Sequence, residues 1–94
     1  MSLNEQWAFF MNFWVYVLYS NKADRLYIGM TSNLEARMLS HNVLGKKGFT
    51  VRYRPWDLIY SETFDSKVAA LERERQLKSG AGRAWIRSNY IDNL

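Results

Sequence analysis

Five side chains with acid–base, cationic or metal-ligating chemistry stand at spacings that could bring them together: Tyr16, Tyr27, Arg37, His41 and Glu74. Arg37 and His41 are four residues apart in a predicted helix, so they share one face of it. The tyrosines fall on two predicted strands, and a four-residue loop over 21–24 would pair Leu18 with Tyr27 and Tyr16 with Gly29. Because strand side chains alternate, that register places both phenols on one face of the sheet; a three- or five-residue loop would separate them.

Glu74 is a carboxylate at an unexpected position in its predicted helix. In a helix predicted from about 67 to 78, Glu74 falls inside the apolar stripe, whereas Glu72 points elsewhere and is interpreted as surface charge. An ionised carboxylate on an apolar face is costly unless something compensates it. The partner would be a metal ion, Arg37 or a tyrosine hydroxyl, and a buried structural ion pair is the alternative interpretation. The stripe itself consists of Ala70, Leu71 and Leu77.

Composition narrows the choice of metal and partner. The 94 residues are 48% hydrophobic and 16% aromatic, which suits one domain with a modest core rather than disorder. There is no cysteine and one histidine, so disulfides, thiolate zinc sites and multi-histidine sites are excluded. Any metal must therefore be held by carboxylates, which are the ligands that a hard divalent ion prefers. The absence of cysteine also agrees with a cytoplasmic location. The net charge of +4 leans towards nucleic acid or acidic surfaces.

The first half of the chain is predicted to form a hairpin followed by a helix. Residues 15–19 are an unbroken apolar run rich in β-branched and aromatic types, which indicates a central strand, and 26–30 form a second short strand. Ser32 and Glu35 have the spacing of a capping box, so a helix is predicted from about 33 to 42.

A basic, glycine-containing loop is predicted over 43–54. It is either a solvated connection or a strip that contacts phosphates without reading bases, with affinity that falls steeply with salt. The predicted nucleic-acid-binding residues in it are Lys46, Lys47, Arg52 and Arg54.

The second half is predicted as a strand and two helices. Pro55 precedes a strand over 56–64, and Asp65 or Ser66 caps the helix over 67–78. Gly80 is expected to end that helix, with a turn before a short helix over 83–90. The apolar run over 7–19 is too short for a membrane span and lacks a basic segment before it, so no membrane anchor is predicted.

The motifs together resemble the GIY-YIG nuclease superfamily, over about residues 13–80. The residues that carry the resemblance are Trp14-Val15-Tyr16, Tyr27-Ile28-Gly29, Thr31, Leu34, Arg37, His41 and Glu74. Trp14 stands where the family has the glycine of its first motif, and Met30 stands where some repair-type members carry lysine. The run 76–80 resembles the small single-domain bacterial members, so we interpret 1–12 as an extension, either flexible or added in cloning, and 13–94 as a single domain.

The resemblance implies an α/β (α+β) fold, with a three-stranded antiparallel sheet flanked by helices. It also implies phosphodiester hydrolysis with one divalent metal, Mg²⁺ or Mn²⁺. By position, Tyr16 and Tyr27 resemble the paired active-site tyrosines and Arg37 the phosphate-binding arginine. His41 resembles the residue one turn further on, and Glu74 the metal ligand.

These roles agree with the chemistry of the side chains. Tyr16 is our choice of general base, and the metal and Arg37 are expected to lower the pKa of its phenol from about 10. Tyr27 would position water or phosphate, and His41 would orient Tyr16 or relay a proton. Arg37 offers a planar, permanently charged donor fork to a phosphate.

Two functions follow as hypotheses. The first is a metal-dependent DNA endonuclease, selecting branched or damaged DNA by structure rather than by sequence. The alternative is a catalytically weak or inactive nucleic-acid-binding domain of the same fold. The sequence does not fix the oligomeric state.

Overall fold

An antiparallel sheet of three strands, covered by helices, makes up the part of the chain that the structure describes. The structure is a computed structural model, and it describes residues 12–46 and 48–92. The strands are β1 (Phe13–Ser20), β2 (Arg25–Thr31) and β3 (Asp57–Phe64), in the order β2-β1-β3. The predicted α/β (α+β) class with flanking helices is confirmed, whereas the prediction for 1–12 concerns residues of which only Asn12 is described.

The helices follow the strands in chain order. They are α1 (Leu34–Leu39), a π-helix (Ser40–Leu44) that continues it, α2 (Phe49–Arg52), α3 (Lys67–Lys78) and α4 (Gly80–Tyr90). The helix predicted over 67–78 is confirmed with Ser66 as its cap, since the Ser66 side chain accepts a hydrogen bond from the Ala69 N–H. No helix in the described part of the chain has the length and apolarity to cross a membrane.

The register of the β1–β2 hairpin is the predicted one. Tyr16 pairs with Gly29 and Leu18 with Tyr27, so both phenols lie on the same face of the sheet. The four-residue turn between the strands includes Asp24 at φ 53°, a left-handed conformation that aspartate tolerates better than most residues.

The two faces of the sheet carry different cores. One face packs α3 and α4 onto β1 and β2 in an apolar cluster of Val15, Val17, Leu26, Ile28, Ala70, Leu77 and Ile86. The other face carries Tyr16, Leu18 and Trp56, with Tyr27, Leu34, Met38 and Tyr53 packed around them. We call the first the core face and the second the tyrosine face. Alternation along β1 divides the two sets.

The helix after β2 differs from the prediction at both ends. Its cap is Asn33 rather than Ser32, because the Asn33 side chain accepts from the Ala36 N–H at 3.0 Å. The predicted single helix over 33–42 is instead a short α-helix that widens into the π-helix. The loop predicted over 43–54 is also partly helical, since it contains the end of the π-helix and all of α2.

The junction between α3 and α4 is one residue long. Ser79 ends α3 and caps α4, where its hydroxyl accepts from the Gly82 N–H at 3.1 Å. Gly80 therefore begins a helix instead of opening a turn, which corrects the prediction. A side chain at Gly82 would lie 2.2 Å from the Gln76 carbonyl oxygen, so the tight corner requires a glycine there.

Candidate active site

A buried hydrogen bond between a phenol and an imidazole lies at the centre of the tyrosine face. The Tyr16 hydroxyl is 2.9 Å from His41 Nε2. Tyr16 is only 1% exposed and His41 6%, although His41 is the residue type in this chain that titrates nearest to neutral pH. The pair is therefore a polar contact held inside an apolar setting.

The two pKa values show where the proton lies. Burial, reinforced by the neighbouring Tyr27, raises the pKa of the Tyr16 phenol well above its ordinary value, and outweighs the opposing effect of Arg37. Burial and then the charge of Arg37 lower the pKa of His41 below 6.5. Near neutral pH the phenol thus keeps its proton and the imidazole is uncharged. In the protein alone desolvation of Tyr16 outweighs Arg37, and the lower pKa expected beside a bound metal stays a prediction.

Gly29 makes room for the Tyr16 ring. A Cβ added at Gly29 would lie 2.5 Å from the Tyr16 hydroxyl oxygen and 2.6 Å from Cζ, distances that no real side chain occupies. The ring therefore lies across the backbone of its cross-strand partner. The glycine of the Tyr-Ile-Gly motif is required here because its missing side chain leaves room for the Tyr16 ring, and not because of its conformational freedom.

Tyr27 joins the pair to an aromatic wall. Its ring centroid is 6.2 Å from that of Tyr16 and 4.7 Å from that of His41. On its other side it meets Trp56 at 6.2 Å and Phe49 at 6.5 Å. The sequence analysis assigned neither Phe49 nor Trp56 to the site, and the only signal for them was one aromatic residue within the basic segment and another just after it.

The π-helix that carries His41 is fixed by Arg54. The guanidinium donates from Nε to the His41 carbonyl at 2.5 Å, and from Nη2 to the carbonyls of Ser40 at 3.2 Å and Gly45 at 2.6 Å. The Ser40 carbonyl also accepts from the Gly45 N–H at 2.8 Å, whereas the last carbonyls of a helix have no intrahelical donor. Arg54 thus acts as a cap supplied from outside the helix, and its charge also lowers the pKa of His41.

A second clamp holds the same segment. The Asn42 side chain accepts from the Trp56 N–H at 2.7 Å and donates to the Trp56 carbonyl at 3.0 Å. The Trp56 indole N–H donates to the Thr50 carbonyl at 2.7 Å. Residues 40–56 are therefore closed into a loop that presents His41 to Tyr16. Every buried side-chain N and O in the described ranges has a hydrogen-bond partner.

Arg37 and Glu74 lie on different helices near the Tyr16–His41 pair. Arg37 is exposed on α1, and its charge acts on both Tyr16 and His41. Glu74 lies on α3, which packs on the core face, yet its carboxylate is near enough to raise the pKa of Tyr16. Arg37 and Glu74 are thus both within electrostatic reach of Tyr16, whereas Tyr16, Tyr27 and His41 are in direct ring contact with one another.

The partner of Glu74 is neither Arg37 nor a tyrosine. Its carboxylate lies 3.6 Å from the Lys78 ammonium one turn along α3, and its side chain is 20% exposed. Leu71 is 43% exposed, so it does not belong to the buried stripe that Ala70 and Leu77 form. A long, partly solvated ion pair compensates the carboxylate only weakly, which leaves its oxygens available to a cation.

The donors around Glu74 fit a hard divalent ion better than a softer one. Glu74 supplies one carboxylate, and Tyr16 is the tyrosine within its electrostatic reach. In residues 12–46 and 48–92 no three His, Asp or Glu side chains gather as a metal cage. Mg²⁺ keeps several of its waters and needs only one or two protein carboxylates, so a single glutamate is sufficient for it.

The four predicted phosphate contacts have different settings. Lys46 and Arg52 are exposed on the segment that leads to and through α2. Arg54 is half-buried and committed to the π-helix carbonyls. Lys47 lies outside the described residues.

Comparisons with known proteins agree with the fold. Residues 12–85 match the family model of the GIY-YIG catalytic domain. A UPF0213 protein of Natronomonas pharaonis is 41% identical over 66 residues, covering 70% of this chain and 76% of that protein. A UPF0213 protein of Streptococcus pyogenes is 44% identical over 64 residues, covering 66% of this chain and 68% of that protein. The solution NMR structure of a UPF0213 protein from Bacillus halodurans superposes with a TM-score of 0.51 at 26% identity, over 83% of this chain and 84% of that one.

Proposed function

We propose a function from the premise that this chain belongs to the GIY-YIG family: metal-dependent hydrolysis of phosphodiester bonds in DNA. The observation that carries the proposal is the buried Tyr16–His41 hydrogen bond within electrostatic reach of Arg37 and Glu74. A nuclease must deprotonate a water and stabilise negative charge on a phosphoryl group, and these four side chains cover both tasks. Branched or damaged DNA is the substrate class that we propose.

In this proposal Tyr16 and His41 form one proton path. Tyr16 passes its proton to His41 Nε2, and the resulting phenolate accepts a proton from water. The water oxygen then forms a bond to phosphorus while the bond from phosphorus to the leaving oxygen breaks. Burial raises the pKa of the phenol and lowers that of the imidazole, so this first transfer is uphill, and the phenolate is a strong base once formed.

Arg37 is proposed to bind the phosphate. It is exposed on α1, and with Met30, Thr31 and Lys67 it lines a shallow cavity of about 210 Å³. The planar guanidinium can donate two parallel hydrogen bonds to phosphoryl oxygens. Its charge favours the Tyr16 phenolate but disfavours a protonated His41, so Arg37 assists the loss of the phenol proton and opposes its retention on the imidazole.

Glu74 is proposed to hold a divalent cation, Mg²⁺ or Mn²⁺. When bound, such an ion supplies Lewis-acid polarisation of the phosphate and offsets its charge. The chain's own contribution is a carboxylate whose only ion-pair partner among the described residues is the loosely placed Lys78.

The alternative is a nucleic-acid-binding domain with weak catalysis or none. The raised pKa of Tyr16 favours it, because a phenolate in this setting is costly unless cations are present to stabilise it. Both functions share the cationic surface, so binding alone does not separate them.

Replacement of Glu74 by Gln separates the two functions. We expect Mn²⁺-dependent cleavage of a branched DNA to fall by at least about 100-fold, since the variant keeps its shape but loses the charge that a divalent cation requires. The stability should change by no more than about 0.5 kcal/mol, because the lost contact is a partly exposed i,i+4 ion pair. Cleavage and thermal melting are the two measurements.

The matched control is Glu72→Gln. Glu72 is exposed on the same helix, and the substitution makes the same change in net charge. It should leave cleavage and melting unchanged. A parent protein that binds DNA yet cleaves none with Mg²⁺ or Mn²⁺ would assign the chain to the binding-domain alternative. Equal loss of cleavage in both variants would remove Glu74 from the metal site.

A further inference from the structure

A cavity at the hairpin end of the sheet is lined by more positively charged side chains than negatively charged ones. It has a volume of about 290 Å³ and is lined by Asp24, Arg25, Leu26, Phe49, Arg83 and Arg87. Three guanidinium groups face one carboxylate there, a formal net charge of +2. None of these arginines belongs to the proposed catalytic set or to the basic segment over 43–54.

The single carboxylate is already neutralised. Asp24 accepts from Arg87 Nη1 at 2.8 Å and from the Tyr19 hydroxyl at 2.8 Å, and the hydrogen bond from Arg87 is the main cause of the lowered pKa of Asp24. Arg87 Nη2 also donates to the Asp24 carbonyl at 3.1 Å, which ties α4 to the hairpin turn. Arg87 therefore has a structural task, and the excess charge of the cavity rests on Arg25 and Arg83.

Arg25 and Arg83 are held without a counter-ion. The Arg25 guanidinium lies over the Tyr53 ring, 5.1 Å from its centroid. Arg83 donates from Nε to the Lys78 carbonyl at 3.1 Å, which leaves its terminal nitrogens for other acceptors. Within residues 12–46 and 48–92 neither arginine forms an ion pair with a carboxylate. Two positioned guanidinium groups beside one concavity suit phosphate oxygens.

Phe49 links this cavity to the tyrosine face. Its ring lines the cavity and also lies 6.5 Å from the Tyr27 ring, so the two sites share one wall. Phe49 is 45% exposed, yet its ring is supported by Tyr53 at 4.8 Å and Trp56 at 5.8 Å. An exposed but rigid aromatic ring next to cations is the combination that proteins use to hold single-stranded nucleic acid, with a base on the ring and phosphates on the cations.

We propose that Phe49, Arg25 and Arg83 bind a single-stranded stretch of DNA that leaves the cleavage site at the hairpin end of the sheet. One unpaired base stacks on Phe49, and the following phosphates contact the two arginines. A base inside an intact duplex has no free face for the ring, so the site favours substrates with an unpaired arm. The inference rests on the proposed function, whose DNA substrate it specifies.

The test compares two fluorescent DNA probes in EDTA, where the proposed cleavage does not occur. One probe is a splayed duplex with single-stranded arms, and the other is a blunt duplex of the same length. Fluorescence anisotropy gives the affinity of each, and their ratio cancels the effect of a general loss of charge. The variants are the double substitution Arg25→Gln/Arg83→Gln, the conservative Phe49→Leu, and the control Arg75→Gln on the exposed side of α3.

We expect the parent to prefer the splayed probe by about tenfold, as one stacked base allows. The double variant should lose most of that preference, and its salt slope on the splayed probe should fall by about 1.4, at about 0.7 for each phosphate contact. Phe49→Leu should reduce the preference and leave the salt slope unchanged. Arg75→Gln should keep the preference of the parent.

Three outcomes would overturn the proposal. They are a parent that binds both probes equally, a double variant that loses both affinities in proportion, and an Arg75→Gln variant that loses the preference as well. Cleavage with Mn²⁺, measured separately, distinguishes this failure from failure of the proposed function. A parent that prefers the splayed probe but cleaves nothing rejects the nuclease and supports the arm site. A parent that cleaves but shows no preference rejects the arm site alone.

Discussion

The two faces of the sheet are formed by the same strands but carry different kinds of side chain. On the core face, apolar side chains from β1 and β2 meet α3 and α4, and the buried cluster contains no polar side chain. On the tyrosine face, the interior includes a phenol, an imidazole and an indole that are each hydrogen-bonded. Apolar burial is favourable without regard to direction, whereas a buried polar group is tolerated only with its partner in place.

The difference shows how a chain of this size divides its residues between stability and chemistry. The core face can lose part of a side chain and keep its overall packing arrangement, since its contacts are many and individually weak. The tyrosine face depends on a few specific contacts, each with a defined direction. Substitutions on the first face should therefore change stability, and substitutions on the second should change activity.

The largest effect that we expect is on the core face, from Ile86→Ala. Ile86 is fully buried on α4, far along the chain from the catalytic set, and its truncation should lower the free energy of unfolding by about 2–5 kcal/mol. Cleavage per folded molecule should stay unchanged. Urea unfolding measures the loss, and Val68→Ala, on an exposed position of α3, is the control that should cost almost nothing.

Ile86→Val is the milder version of this substitution for a fold too marginal to survive the truncation, with an expected cost of about 0.5–1.5 kcal/mol. If either variant lost activity while still folded, the division of labour between the faces would be wrong.

The next effect is on the tyrosine face, from Gly29→Ala. The new Cβ would overlap the Tyr16 hydroxyl and Cζ, so the ring must move away from His41. We expect cleavage to fall by about 100-fold, the scale of a misplacement of about 1 Å, with a stability cost of about 1–3 kcal/mol.

Gly80→Ala is the matched control, because a Cβ there meets nothing within 4 Å. It lies in the first turn of α4 and should leave cleavage unchanged, with stability equal or higher by up to about 1 kcal/mol. Equal activity in the two alanine variants would show that the position of the Tyr16 ring does not matter to cleavage.

The smallest effect that we expect is a pH dependence of stability from His41. Its pKa is lower in the folded protein than the unfolded value of about 6.5, so the unfolded chain binds the proton first as the pH falls. Stability should thus decline as the pH drops through about 6.5 and continue to decline until the lowered pKa is reached.

His41→Gln supplies the comparison for that titration. The variant should lack the decline near pH 6.5, although both proteins lose stability at lower pH, where carboxylates with lowered pKa such as Asp24 and Glu62 become protonated. Melting temperatures of the two proteins from pH 8 to 5 measure the difference. Parallel curves would mean that His41 is not held neutral by its surroundings.

The parts of the fold that local patterns govern could be predicted from the sequence. A loop of four residues over 21–24 was one of three lengths considered, and for that length the alternation of strand side chains places Tyr16 and Tyr27 on one face, as the structure has them. The helix over 67–78 was likewise marked by its cap and its apolar residues.

The remainder depends on partners that are distant in the sequence. Arg54 reaches the carbonyls of the π-helix from beyond α2, and nothing within 40–44 indicates this contact. The ion pair between Arg87 and Asp24 joins residues 63 positions apart, so no local pattern predicts the cavity lined by the arginines. The sequence predicted no layer for Glu74, because helical periodicity gives a face but not the layer against which that face packs.

The clamps of Arg54 and Asn42 also determine how the site can open. Because Arg54 binds carbonyls at 40, 41 and 45 while Asn42 binds both backbone groups of Trp56, the two ends of this segment are tied to each other. Such a closed segment opens as one cooperative unit rather than by fraying from an end. Exposure of the imidazole to solvent is then governed by the local unfolding free energy of this unit, which can be much smaller than that of the whole protein. The rate at which this unit opens sets how long the hydrogen bond between Tyr16 and His41 persists.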